Sequence, residues 1–174
     1  MLGPRLRQLR LARGFSLDEL VAAMGGVVTK QALSKYERDQ SRPSQGVLRS
    51  LAKALEIGVT RLIEADPIEV QICAYRKKAR LGKKEMARIE NFTAISLQDR
   101  IRLEDALGTA EGSVLAAGGF TVKEVADAEH AAEKVRTNWG LGEDPIACVI
   151  DTLEENRIHV VEVEASDAFD GISA

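Results

Sequence analysis

The chain has 174 residues, 45% of them hydrophobic and 29% charged, a composition that can bury one large core or two small ones and excludes a disordered or fibrous chain. No apolar run approaches the roughly 18 residues of a membrane helix, and the basic amino end lacks the apolar segment of a signal peptide, so a cytoplasmic protein is expected. The net charge of −3 hides a division: residues 1–66 carry 11 Lys/Arg against 7 Asp/Glu, residues 67–105 carry 9 against 6, and residues 106–174 carry 4 against 14. A basic front end can neutralise a polyanion, whereas the acidic end is repelled by one or is simply a solvated surface. Cys73 and Cys148 lie far apart and form no metal-ligand spacing, so both are expected to be reduced thiols.

The spacing predicts a first helix from Pro4 to Arg13, with Leu2, Leu6 and Leu9 on one face and Gly14 as its stop. A second helix opens at Ser16-x-x-Glu19, the form of a capping box, in which the Ser hydroxyl accepts from the Glu19 N–H and Glu19 reaches back. Leu17, Leu20 and Met24 face inward and Gly25-Gly26 ends it. Thr29 is the expected N-cap of a third helix running to Arg38. Its apolar side holds Val28, Leu33 and Tyr36, and its other side holds amide, hydroxyl and cationic groups. Those groups read duplex nucleic acid: Gln pairs bidentately with adenine, Ser and Thr bond bases or phosphates, and Lys and Arg meet guanine edges or phosphates. Lys30, Gln31 and Ser34 are the candidates for base contacts, and Thr29, Lys35, Arg38 and Arg42 for phosphates. A fourth helix follows Pro43, with Val47, Leu48, Leu51, Ala52 and Leu55 on one face, and a short turn from Thr60 to Ile63 closes the bundle. Two short helices joined by a glycine turn make a helix-turn-helix unit.

Residues 1–66 resemble the lambda-repressor-like, XRE/Cro type of helix-turn-helix domain. The segments Gly3-Pro4-Arg5-Leu6-Arg7, Leu33-Ser34-Lys35-Tyr36-Glu37-Arg38, Arg42-Pro43-Ser44 and Leu51-Ala52-Lys53-Ala54-Leu55 fall in that family's order and spacing. The resemblance implies five small helices around one core, duplex DNA as the partner, a homodimer, and an ion pair between Arg10 and Glu37. Three departures stand out: Leu17 where many relatives carry a phosphate-binding Gln, Asp39 in place of a usual Gly, and a turn lengthened by Gly26-Val27.

Past Pro67, Ile68 to Tyr75 alternates well enough for a short strand or extended connector. The cluster Arg76-Lys77-Lys78-Ala79-Arg80 with Lys83-Lys84 fits a phosphate contact or the solvated start of a helix equally well. A helix is expected from Lys83 to Leu107, with a break or kink at the possible capping box Ser96-x-x-Asp99, and packing of this arm at a dimer contact. Gly108 to Gly119 reads as a hinge. Thr121-x-x-Glu124 opens another capped helix through Val135 and Trp139, stopped by Gly140 and Gly142. Pro145 starts the next, with Ile146, Val149, Ile150 and Leu153 as a buried stripe, and Ile158 to Val163 is a β-branched strand.

This second half, through Ala132-Glu133-Lys134-Val135-Arg136-x-x-Trp139-Gly140-Leu141-Gly142, Pro145-Ile146, Leu153-Glu154-Glu155-Asn156 and Phe169-Asp170-Gly171-Ile172-Ser173, is similar to the start of an ImmA/IrrE-type zinc peptidase domain. The family's H-E-x-x-H helix is absent. His130 and His159 are isolated, and zinc catalysis needs about three protein ligands and a water position. Asp170 reads as a turn former. No catalytic residue, metal ligand or cofactor is therefore expected. The expected fold is mainly α: a five-helix DNA-binding domain over 1–66, a basic connector with strand and long helix over 67–119, and a small incomplete α+β segment over 120–174. The leading expectation is a sequence-specific DNA-binding transcriptional regulator. Two alternatives stand beside it: an amino-terminal fragment of a zinc endopeptidase that cleaves a partner repressor, and an antitoxin-type autoregulator.

Overall fold

The computed structural model describes residues 2–63, 68–108, 121 and 123–174. The chain forms two compact units, one of residues 1–106 with 161–174 and one of residues 107–160.

The first unit opens with five helices: α1 (Leu2–Ala12), α2 (Leu17–Ala23), α3 (Lys30–Glu37), α4 (Gln45–Ala54) and α5 (Val59–Ile63). Leucines at helical spacing supply their common core. Leu6, Leu20, Leu33, Leu51, Leu55 and Leu62 are completely buried, and Leu9, Met24 and Ala52 nearly so. Each buried Leu or Met side chain contributes roughly 1.5–3 kcal/mol by leaving water, which fixes which face of each short helix turns inward.

Local chemistry sets the helix ends. Ser16 caps α2 in a reciprocal box: its Oγ accepts the Glu19 N–H at 3.1 Å and Glu19 Oε2 accepts the Ser16 N–H at 2.6 Å. Thr29 caps α3 and Ser44 caps α4, their hydroxyls accepting from Ala32 and Val47. The turn after α2 carries Gly25 and Gly26 at φ 71° and 73°. Their N–H groups bond back to the carbonyls of Ala22 and Val21 at 2.9 and 3.0 Å, a paired closure that needs the left-handed backbone glycine adopts without cost. The additional Gly26-Val27 thus seals the end of α2 and leaves Val28 packed against the core.

Beyond the bundle, β1 (Ala74–Lys77) pairs antiparallel with β2 (Phe169–Ser173), Tyr75 opposite Ile172 and Lys77 opposite Phe169, with an irregularity between Arg76 and Lys77. The long helix α6 (Lys83–Leu107) buries Ile89, Thr93 and Gln98, and Ile95 packs on the five-helix core. Gln98 joins α6 to α1: its Oε1 accepts from Arg5 at 2.8 Å, and its Nε2 donates to the carbonyl of Ile68 at 2.6 Å. Arg5 is 1% exposed, so this charge is held by hydrogen bonds rather than by water.

The second unit holds α7 (Val125–Asn138) and α8 (Val149–Glu155). Neither helix buries a residue.

Several expectations are corrected. Helix α6 runs without a break through Ser96, because Ile95 and Gln98 are held on the same face by the bundle. Of the two readings of residues 68–75, short strand or extended connector, residues 68–73 follow the connector and only Ala74 and Tyr75 enter a strand. Residues 158–163 join no ladder, and the strand in this region is β2, which incorporates Asp170 and Gly171 instead of turning at them. Glu124, not Thr121, is the N-cap of α7, with Asp127 Oδ2 accepting the N–H groups of Lys123 and Glu124 at 2.9 and 3.2 Å. Helix α8 starts at Val149 instead of Pro145, and Ile146, Val149 and Ile150 are 37%, 58% and 44% exposed rather than forming a buried stripe. Apolar spacing alone does not say whether a partner covers the face it creates. Except for Gly108, the hinge read over Gly108–Gly119 lies outside the described residues.

Candidate nucleic-acid interface

Helix α3 turns Leu33 fully into the core, and this burial fixes the orientation of every other side chain on the helix. Thr29, Lys30, Gln31, Lys35 and Arg38 are exposed, and Ser34 lies at the boundary. Arg42 is exposed in the loop before α4. The helix therefore presents an amide, hydroxyls and cations to solvent on one side, opposite its leucine. Two of the cations are already engaged. Lys30 Nζ meets Asp18 Oδ2 at 2.5 Å, joining the first turn of α2 to the first residue of α3. Arg38 Nε donates to the Ser34 carbonyl at 3.1 Å.

The far end of α3 is held by charge. Arg10 Nε and Nη2 donate to the two carboxylate oxygens of Glu37 at 2.6 and 2.8 Å, and Arg10 Nη1 donates to the Phe15 carbonyl at 2.7 Å. The two side chains are only 8% and 7% exposed. A buried guanidinium–carboxylate fork of this kind fixes distance and angle together, so it sets the pitch of α3 relative to α1.

Two residues near this anchor matter in ways the sequence patterns do not display. A Cβ on Gly3 would stand 2.6 Å from the Glu37 carbonyl oxygen and 2.7 Å from that of Tyr36, so only glycine lets α1 approach the end of α3 this closely. Asp39 closes α3 at φ 54°, its N–H bonding to Tyr36 O and that of Gln40 to Lys35 O, the left-handed position usually given to glycine. The strained backbone costs about 1 kcal/mol. In return its Oδ1 accepts the Gly3 N–H at 2.8 Å, satisfying one of the donors that the start of α1 leaves open and placing a carboxylate at the positive end of that helix. Leu17, the other departure in this region, packs against the core and is not available to a phosphate.

Electrostatics ties the start of α6 to the same region. Lys84 Nζ lies 2.8 Å from both carboxylate oxygens of Glu19. That ammonium, with the Ser16 capping bonds, lowers the Glu19 carboxyl to about 2. Among the described residues, no group of three or more His, Cys, Asp or Glu is placed to hold a metal ion, and no helix is long and apolar enough to cross a membrane.

Residues 6–62 match the family described as Helix-turn-helix. The chain is 37% identical over 65 residues to the HTH-type transcriptional regulator SinR of Bacillus subtilis, covering 37% of this chain and 57% of that protein. It is 39% identical over 71 residues to SinR of Bacillus licheniformis, covering 40% of this chain and 62% of that one. A protein of Thermococcus kodakarensis, provisionally named HTH-type transcriptional regulatory protein TK0539, is 34% identical over 115 residues, 58% of this chain and 35% of its own length. The chain thus spans between about a third and three fifths of the curated relatives it matches. No solved structure gives a significant match. Residues 6–62, with α3 at their centre, form a helix-turn-helix domain.

Proposed function

We propose that this chain is a sequence-specific DNA-binding transcriptional regulator that lays α3 in the major groove. The observation that carries the reading is the side of α3 opposite Leu33: Gln31, Lys35 and Arg38 are exposed while the leucine is completely buried. The helix-turn-helix match over residues 6–62 includes this helix, and relatives named as transcriptional regulators are similar to the chain over 65 and 71 residues. In this reading residues 1–66 are the DNA-binding domain and 67–119 a connector. Lys30, Gln31 and Ser34 address bases, while Thr29, Lys35, Arg38 and Arg42 hold phosphates. Lys30 reaches a base by exchanging its Asp18 partner, which costs little because both side chains are more than half exposed. Two copies bind half-sites about 34 Å apart on one face of the duplex, in the cytoplasm where the DNA lies. The pattern of residues 120–174 supports reading them as the beginning of a peptidase-like α+β segment, and an H-E-x-x-H helix encoded further along the same reading frame would be its direct support.

The test is a mobility-shift titration on DNA from upstream of the protein's own gene, with unrelated DNA as competitor. Gln31→Ala is expected to cost roughly 1–3 kcal/mol on the preferred site and to relax one base position, because it removes a bidentate contact. Lys35→Ala is expected to weaken binding to every sequence and flatten its salt dependence. Equal loss on all sequences for Gln31→Ala removes Gln31 from the base-reading set.

A further inference from the structure

Six cations, Arg76, Lys77, Lys78, Arg80, Lys83 and Lys84, lie exposed along β1, the following loop and the start of α6. Two ion pairs connect this segment to the recognition helix. Lys84 grips Glu19 in the first turn of α2, and the neighbouring Asp18 grips Lys30, the first residue of α3. The basic segment is therefore linked, through the adjacent residues Asp18 and Glu19 of α2, to Lys30, a candidate DNA contact. Both acidic residues on that path are paired, so they do not oppose a phosphate there with full charge.

The same segment carries a cover of opposite sign. Residues 161–174 contain Glu162, Glu164, Asp167 and Asp170 and no Lys or Arg. They are fastened along it by the β1–β2 ladder, by the Lys78 N–H donating to the Ala168 carbonyl at 2.8 Å, and by Ser166, whose N–H and hydroxyl donate to Glu85 at 2.7 and 3.0 Å. Arg88 also donates to the Glu164 carbonyl. Asp167 meets two of the cations at once, forming an ion pair with Arg80 and standing 4.0 Å from Lys78. Arg76, Lys77 and Lys83 are exposed and take part in none of the described ion pairs, although Asp170 lies at the irregularity of β2 opposite Arg76 and Lys77.

Resting on the DNA-binding reading of α3, we infer that Arg76–Lys84 is a second, sequence-independent surface for the phosphates of duplex DNA flanking the site, and that the acidic segment around Asp167 holds part of it in check. Phosphate contacts release counterions and give log K against log salt a slope of about −0.9 per phosphate neutralised. Lys77 and Lys83 act as added contacts, whereas Asp167 competes with phosphate for Lys78 and Arg80. The surface adds affinity on any sequence and leaves the base preference to α3.

The experiment titrates the full chain on two duplexes of about four helical turns, one from upstream of its own gene and one unrelated, between 50 and 200 mM salt. For Lys77→Gln/Lys83→Gln the slope is expected to become shallower by about 1–2 on both duplexes with the preference between them unchanged, while Asp167→Asn binds both more tightly with a slope steeper by about 1. All three substituted side chains are exposed, and unchanged thermal unfolding verifies that the fold is intact. A wild-type slope in the Lys77/Lys83 variant overturns the inference and leaves the reading of α3 standing, since that reading is scored separately by the loss of preference in Gln31→Ala. Unchanged affinity and slope in Asp167→Asn overturn the restraining role of the acidic segment. Absence of any duplex binding by the wild-type chain overturns the inference together with the reading on which it rests.

Discussion

The Arg10–Glu37 pair offers the sharpest test of how α3 is held. Both side chains are more than nine-tenths buried, and all three guanidinium donors for which partners are described point into the protein, two to Glu37 and one to the Phe15 carbonyl. Removing one partner leaves the other as a buried charge without a counterion, which costs about 3–5 kcal/mol. Replacing both with apolar groups of similar volume removes the charges together and is expected to cost far less, because neither desolvation penalty remains. Arg10→Met and Glu37→Leu should therefore each shift the urea midpoint strongly, with the double variant less destabilised than the sum by at least about 1.5 kcal/mol. A single loss of 3 kcal/mol is a large share of the 5–15 kcal/mol typical of a domain. Circular dichroism during urea unfolding, with linear extrapolation, measures all four corners of the cycle. Single variants that each cost less than 1 kcal/mol, or costs that simply add, would refute the claim that this fork anchors the helix.

Other outcomes follow from neighbouring geometry. Gly3→Ala places a methyl group 2.6–2.8 Å from the Glu37 and Tyr36 backbones and should destabilise the bundle by roughly 1–3 kcal/mol despite the usual preference of helices for alanine; an unchanged or raised melting temperature would contradict the close approach of α1 and α3. The Tyr75 hydroxyl donates to Glu90 at 2.5 Å, and this carboxylate raises the phenol to about 12. The sign follows from a folded value above the ordinary one of 10: the stabilisation is fully present below pH 10 and is lost as pH rises through 12. Absorbance of tyrosinate should show one of the two tyrosines ionising near 12 and returning toward 10 in Glu90→Gln, and a titration identical in both proteins would remove the contact from consideration.

The elements most legible from residue order were those closed by local chemistry. Ser16 with Glu19, Thr29 before Lys30, and Gly25-Gly26 mark helix ends through bonds spanning three to five residues, so each can be read without knowing the fold. The leucine spacing likewise indicates the inward face. Ser96-x-x-Asp99 had the form of a capping box yet lies inside α6, where packing of Ile95 and the buried Gln98 keeps the helix continuous. The β-branched run at 158–163 looked like a strand, whereas Phe169–Ser173 found the partner strand. Strand formation depends on a neighbour's open edge and not on propensity alone.

Arg10 and Glu37 show the same division within the candidate interface. Their 27-residue separation carries no periodic signal, so they were connected only through a family resemblance, and the fork geometry is a property of the packed helices. Gly3 and Asp39 were visible as residue types, but their purpose was not: one makes room for the end of α3, and the other reaches 36 positions back to the start of α1. Asp167 beside Arg80, across 87 positions, was equally unreadable.

By itself, the order of residues determined where α2, α3 and α4 begin and where α2 stops, which face of each is apolar, and that one helix carries an exposed set of amide, hydroxyl and cationic groups. These properties come from bonds and periodicities only a few residues long. Only the tertiary structure decided how α3 is braced, that α6 lies on the bundle, and that an acidic segment runs beside the basic one. Those outcomes depend on close approach and charge pairing between residues far apart in the chain, where nothing short of the packed fold specifies distance.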